Sequence, residues 1–555
     1  METWNEIETF RYLADLKPNC DDFKFTFEHR NKSGYQARLD RLYTNSKSFD
    51  PKVRIFPYKI SPKDDHYPLL ITSKPNPKRT KQWRLDPKIL EDEGVQNQLS
   101  DLSKSVPKDI QPDDWLKYKE QAARLLERAQ RERDQVNNFL IKRSYNKIKK
   151  LKKIAERFPE KLPKLLKAQK IYNTLVEEKQ QNQKTLENLE WEMSLNWPSK
   201  VLSNFLTEKR TNRKLLVQEN QTNNFFSDLY ADKICDDDSM EKLFKEADLP
   251  KISNSENNQL AQPITEEEIW KAVEDLNKSS APGEDKLTTK FYNRKWIGDL
   301  LFRLFNSWLN NGLHQSQAKA IIALLPKTDD PIRDPSQIRP ISLLNKDYRI
   351  FMKVLANRIK PLLKSLIHPD QTGFVPERFI IDNISTVKLG VENLTKSNII
   401  TLLDCAKAFD RVGHKYLWAT LEQYNLPKGL IDCLKETYRN STSSIKLNGY
   451  VSEKSFQNSS GVRQGCPLAP FLFILSIEPL LRVLRKMSKG FRVAQQLKKV
   501  NAHADDIALF SLNEADQKIQ LAIVNLWCKA SGGQLNLKKC VSLTKIKKKE
   551  TNQIK

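Results

Sequence analysis

Asn501-Ala-His-Ala-Asp505-Asp506-Ile-Ala-Leu-Phe510 sets two adjacent acids between short strand-like segments. That pattern suits a tight hairpin with the acids at its tip. About a hundred residues earlier, Ile399-Ile-Thr-Leu-Leu-Asp404-Cys-Ala-Lys-Ala-Phe409-Asp410 reads as an apolar strand ending on Asp404, where a short turn or helix begins. Burying like charges together is unfavourable unless a cation sits among them. Asp505-Asp506 by itself would read as an exposed turn. Joined by Asp404 on a second apolar strand, the three carboxylates make the donor set that two Mg²⁺ ions require for in-line phosphoryl transfer.

The rest of the chain fits work on a polyanion. Its 555 residues exceed one hydrophobic core and suggest about three domains. Lys and Arg total 94 against 69 Asp and Glu, a net charge of +25, which points to nucleic acid or an acidic membrane surface. Only 15 residues are Gly, which argues against Gly-rich disorder and barrel-type all-β folds, and the 39% hydrophobic content can build cores. The seven cysteines (20, 235, 405, 433, 466, 528 and 540) are odd in number and include no C-x-x-C pair, so a reducing compartment fits best. The opening METWNEIETF has no apolar stretch of the signal-peptide kind. The longest mainly apolar run, 469–477, is too short to span a bilayer. Nucleic acid is therefore the expected partner, no membrane is expected, and the expected location is intracellular, in nucleus, cytoplasm or both.

Residues 1–73 read as short strands and turns, with alternation at 23–27 and 37–43, and 74–112 as a Pro- and Lys-rich linker. Asp113 and Asp114 can cap a helix starting at Trp115, and a second helix is expected after Pro159 and Pro163. Between Lys142 and Lys170 there are 12 bases and two acids, Glu156 and Glu160. Such a run is either a solvated face or a phosphate-contacting helix. Beyond residue 200 the pattern is mixed: 300–310, 350–367 and 470–487 look like buried helices, and 399–403 and 507–511 like core strands. No internal repeat is visible, and the basic tail 545–549 reads as a frayed charge run.

An ordered set of motifs over about residues 205–545 resembles the reverse transcriptases of non-LTR (LINE-type) retrotransposons. Pro282-Gly283-Glu-Asp285 resembles the opening element; Leu324-Leu-Pro-Lys327 and Arg339-Pro-Ile-Ser-Leu-Leu-Asn345 resemble fingers elements, and Gln371-Thr-Gly-Phe374 follows. Leu403-Asp404 through Asp410 resembles motif A, Gly461-Val-Arg-Gln464-Gly465-Cys-Pro467-Leu motif B, Ala504-Asp505-Asp506 motif C, and Ser531-Gly to Asn536 with Lys539 motif D. The resemblance implies an RNA-directed DNA polymerase acting on an RNA template, a DNA primer or target and dNTPs. It makes Asp404, Asp505 and Asp506 catalytic and metal-holding, with two Mg²⁺ (or Mn²⁺) ions. Lys327 and Arg339 would grip the incoming triphosphate. Phe409 would stand where a 2′-OH is excluded. Gln464, Gly465 and Lys539 would lie against the nucleotide. The bland readings of these residues are surface bases and a core-packing ring.

Ala37-Arg38-Leu-Asp40-Arg41-Leu-Tyr43, followed by Asp64-Asp65-His66, resembles the end of an apurinic-type endonuclease domain, with Asp40, Asp65 and His66 its site residues. The upstream half of that site is not in the sequence, so this nuclease is expected to be inert. His503 stands where the family usually has Tyr or Phe, and Lys286 and Glu377 where it usually has Gly. A side chain there costs roughly 1 kcal/mol or more if the backbone needs a positive φ. The helical thumb expected after motif D is missing, which suggests a truncated or decaying copy. The expected fold is α+β and multidomain: a partial endonuclease β-sandwich (1–73), a basic helical linker (74–204), reverse-transcriptase fingers (about 205–398) and palm (about 399–545), and a basic tail (546–555). The alternative function is a catalytically inert nucleic-acid-binding remnant; a templated polymerase of another family is disfavoured by motif B and Arg339-Pro-Ile-Ser.

Overall fold

The computed structural model describes residues 85–155, 157–188, 217–277, 280–327, 334–447 and 450–545, together with Trp83 and short strands in the first 73 residues. The chain divides into two compact units, Met1–Gln82 and Trp83–Lys555. Three antiparallel strand pairs are described in the first: Ala14–Asp15 with Tyr43–Thr44, Phe27–Glu28 with Gln36–Ala37, and Pro51–Ile55 with Leu69–Ser73. Asp40, Asp65 and His66 lie outside the described residues, as does the tail 546–555.

The second unit is mixed α and β. It opens with α1 (Glu93–Lys104), capped by the Asp92 side chain, and α2 (Pro112–Ala155), whose first turn carries Asp113 and Asp114 at the positive end of the helix dipole. After a short turn, α3 (Leu162–Asn188) runs back along α2. Then come α4 (Glu219–Tyr230), α5 (Asp237–Ala247), α6 (Asn254–Ala261), α7 (Glu266–Asp275) and α8 (Gly298–Asn311). Two strands follow, β1 (Ala320–Pro326) and β2 (Ile338–Leu344), then α9 (Lys346–Ile359) and α10 (Ile380–Glu392). The last third holds β3 (Ile399–Leu403), α11 (His414–Gln423), α12 (Lys428–Arg439), β4 (Thr442–Leu447), β5 (Tyr450–Gln457) and α13 (Ala469–Met487). It closes with β6 (Phe491–Val493), β7 (Gln496–Lys498), β8 (Val500–His503), β9 (Asp506–Ser511), α14 (Glu514–Ser531) and β10 (Val541–Thr544).

Two four-stranded sheets position the sequence motifs. One runs β5-β4-β1-β2, with β4 parallel to β1 and the outer pairings antiparallel. The other runs β8-β9-β3-β10, antiparallel throughout. β3 is central because Ile399-Ile-Thr-Leu-Leu is apolar almost without interruption, and all but Leu402 are buried. The helix expected at 470–487 is α13, whose apolar side chains are almost wholly buried. That expected at 350–367 is α9 followed by a tighter turn beginning at Lys360-Pro361, because Pro361 removes a backbone donor.

The linker expected at 74–112 packs differently. Leu85, Ile89, Leu90 and Leu99 share one apolar core with Leu300, Phe305, Phe351 and Leu472, and so do Trp115, Tyr118, Ala122 and Leu126 of α2. The 3–4 spacing of those α2 residues makes a stripe that must be covered. Lys119, on the same stripe, is buried between Asp347 (2.8 Å) and Asp285 (3.2 Å), and Trp115 Nε1 donates to Asp347 at 2.8 Å. Residues 85–126 are thus part of the same body as the sheets rather than a tether to it.

Candidate active site

Strand pairing brings the acids together. Leu403 pairs with Ile507 across β3 and β9, so Asp404 follows at the end of β3 beside the start of β9. His503 pairs with Asp506 across the β8–β9 hairpin, leaving Ala504 and Asp505 at its tip. Ala504 takes a left-handed φ of 57°. A neighbouring segment holds that turn in place. Gln371 accepts from Ala504 N at 2.8 Å and donates to Ala504 O at 3.2 Å. Thr372 N donates to Ala502 O at 2.9 Å, and the Thr372 hydroxyl meets His503 Nδ1 at 3.0 Å. A Cβ on Gly373 would come within 2.4 Å of Ala504 N, so only glycine permits this approach.

Asp505 is pushed up to about 6, chiefly by burial, with the charges of Asp506 and Asp404 adding to it and Arg339 opposing. Lys539 Nζ stands 3.9 Å from Asp404 Oδ1. The amine of Lys327 is held below its usual range by burial and by Lys539 and Arg339, with Asp410 and Asp404 opposing. Acids and bases thus face one another across a single site. Among the described residues, no three His, Cys, Asp or Glu side chains form a ready-made metal-binding group. Asp506 is exposed, while Asp404 and Asp505 are partly buried. The donors still fit a divalent cation: two hard carboxylates whose mutual repulsion and burial raise Asp505 are what such an ion relieves.

Motif B lies against this site. Gln464 O accepts from Ser342 N at 2.8 Å. Its side-chain amide donates to both carboxylate oxygens of Asp410 at 3.2 Å. Gly465 has φ 109°, and a Cβ there would lie 2.7 Å from Ser342 O. Phe409 stacks on Phe473 with ring centroids 4.2 Å apart and meets Phe374 edge-on at 6.2 Å.

Two residues with no role assigned from sequence prove central to the geometry. Gln371 cradles the acid hairpin. Asp410 is buried, accepts from the Tyr230 hydroxyl at 2.9 Å, and is pushed up to about 6 by that burial. Each falls inside a quoted motif, Gln371 at the head of Gln371-Thr-Gly-Phe374 and Asp410 at the end of motif A, but neither motif reveals these partners.

Residues 325–553 match the family described as reverse transcriptase (RNA-dependent DNA polymerase). The chain is 33% identical over 327 residues to "Transposon TX1 uncharacterized 149 kDa protein" of Xenopus laevis, covering 58% of this chain and 25% of that protein. It is 32% identical over 289 residues to the "Retrovirus-related Pol polyprotein from type-2 retrotransposable element R2DM" of Drosophila melanogaster, covering 50% and 27%. Over 285 residues it is 26% identical to a "Probable RNA-directed DNA polymerase from transposon BS" of the same fly, covering 48% and 30%. The chain thus spans little more than a quarter of the length of these relatives. Among the described residues no helix is long and apolar enough to cross a membrane.

Proposed function

We propose that this chain, whose residues 325–553 match the reverse transcriptase family, is an RNA-directed DNA polymerase of the non-LTR retrotransposon type. In this reading it copies an RNA template by extending a DNA primer or nicked target with dNTPs. The observation that carries the proposal is the raised carboxyl of Asp505, crowded by Asp506 and Asp404 where two strand ends meet. Asp404 and Asp505, with Asp506 beside them, would hold two divalent ions, Mg²⁺ or Mn²⁺, which supply positive charge at the reacting phosphate.

The chain's own side chains do the positioning. Lys327, Arg339 and Lys539 present positive charge to a triphosphate, Arg339 as a planar fork and the lysines as point charges. Phe409, braced by Phe473, forms the wall against which the sugar is set. Gln464 and Gly465 border the nucleotide, with Gly465 allowing close backbone approach. In the finer architecture of this reading, residues from about 205 to 398 act as fingers and those from about 399 to 545 as palm. Residues 1–73 are assigned to an endonuclease-type sandwich carrying Asp40, Asp65 and His66.

Primer extension on an RNA template tests the proposal. Extension in Mg²⁺ that falls about a hundredfold or more in Asp505→Asn and Asp404→Asn supports it. RNA binding without extension under any divalent ion overturns it in favour of an inert nucleic-acid-binding protein.

A further inference from the structure

Beyond Gln130, α2 has no buried residue. Residues 131–155 run about 38 Å at 1.5 Å per residue, away from the core. Arg133 still pairs with Asp86; beyond it, α3 lies alongside α2 in one antiparallel register. Lys179 Nζ donates to Asn138 Oδ1 at 2.7 Å, and Tyr145 meets Tyr172 at 6.0 Å between ring centroids. Beyond Arg133, the half-buried positions on α2 are Asn137, Ile141, Ser144, Ile148, Leu151 and Ala155, spaced alternately by four and three. That is the seam against Leu165 and Ala168 of α3, which are buried.

Half a turn away lies a second stripe at the same spacing: Phe139, Arg143, Asn146, Lys150 and Lys153, flanked by Lys142 and Lys149. All are exposed, Phe139 to 63%. The two halves of α2 differ in charge. Near the core, Arg124, Arg128 and Arg131 are each paired with a glutamate on the same helix. Residues 135–155 contain no acid at all, and among the described residues none of their bases has an ion pair. A solvated salt-bridged face describes the first half and fails for the second.

We infer that this outer stripe of the helical hairpin is a second nucleic-acid site, outside the polymerase cleft, that holds single-stranded RNA. A row of unpaired bases on one face tracks a phosphate backbone, and an exposed phenyl within the row offers a stacking surface to an unpaired base. A duplex buries its base faces and would leave Phe139 nothing to stack on. The site acts as an anchor, keeping an RNA on the protein independently of the cleft.

The test is binding of the full chain to a fluorescein-labelled oligouridylate across a salt series. No dNTP is present, so the result does not depend on the polymerase reading, which primer extension tests separately. Lys149→Glu/Lys150→Glu/Lys153→Glu should weaken binding about tenfold or more and flatten the slope of log K against log salt by about 2. Arg124→Glu/Arg128→Glu/Arg131→Glu carries the same change in net charge and should have far less effect. Phe139→Ala should weaken oligouridylate binding about fivefold or more while leaving duplex RNA binding unchanged. Unchanged affinity in the Lys149 triple variant would overturn the inference and leave the face to an acidic protein partner. Equal losses in both triple variants, or equal effects of Phe139→Ala on single strand and duplex, would also overturn it.

Discussion

Gln464 donates its side-chain amide to both carboxylate oxygens of Asp410, while Asp410 accepts from the buried Tyr230 hydroxyl. Motif B is therefore tied to the end of motif A by a side chain fifty-four positions away. Asp410→Ala removes the anchor and leaves the amide free to rotate. The expected outcome is a rise of about tenfold in KM for dNTP with a smaller change in kcat, read by steady-state single-nucleotide insertion. A fall in kcat alone would mean that Gln464 does not need this restraint.

Asp410 also predicts a pH dependence of stability. Burial pushes it from 3.8 up to about 6, so the folded chain holds its proton over a range where the unfolded chain has lost it. Protonation therefore stabilises the fold, and that contribution disappears as pH rises through about 6. An asparagine side chain in its place cannot titrate. The difference in Tm, Asp410→Asn minus wild type, should become more positive between pH 5 and pH 7. A flat difference would contradict the assignment.

The buried triad of Lys119, Asp285 and Asp347 yields a third expectation. Lys119→Met preserves much of the volume but strands two carboxylates, of which Asp285 is already pushed up to about 6 by burial. A loss of about 3–5 kcal/mol follows from leaving buried charge unpaired. Denaturant unfolding would show it. Fragments provide a companion measurement: one starting at residue 83 should fold, whereas one starting at 205 should not, because it lacks Trp115, Tyr118, Ala122 and Leu126 from the core.

This last point shows where the sequence was readable and where it was not. The strand 399–403 was visible because a run of Ile and Leu ends abruptly on Asp404, and the hairpin because adjacent acids separate two short strand-like segments. Residues 85–112 were not, because Asp, Glu, Ser and Gln outnumber the apolar residues there, while a few side chains such as Leu85, Ile89 and Leu99 decide their burial. Gln371 and Asp410 lay inside recognised motifs, but their partners were not legible. Their roles are hydrogen bonds to partners 133 and 54 residues away, which no local pattern encodes.

Lys286 and Glu377, read as occupying positions that suit glycine, do have left-handed backbones, with φ 63° and 64°. Lys286→Gly should therefore stabilise by roughly 0.5 kcal/mol or more, after the extra chain entropy that glycine loses on folding. Glu377→Gly should gain less, since it gives up an exposed contact to Lys364 at 2.5 Å. Lys388→Gly, at an exposed site inside α10, is the control and should destabilise by about 1 kcal/mol. Denaturation midpoints that order the three variants differently would refute the strain argument.

Phe409 separates core packing from sugar selection. Its ring is only partly buried, yet it stacks on the fully buried Phe473 and is met edge-on by Phe374. A ring braced on two sides cannot swing aside for a 2′-OH, so excluding a ribose needs no movement of the protein. Phe409→Val shortens the wall while leaving Phe473 in place. Incorporation of ribonucleotides relative to deoxynucleotides should rise about tenfold or more, the cost of one removed steric conflict. Phe409→Tyr keeps the ring and should retain discrimination. Phe374→Leu removes the edge contact and should fall between the two. If Phe409→Val lowers Tm but leaves the nucleotide preference of primer extension unchanged, the ring serves packing alone, and the sugar is selected elsewhere in the cleft.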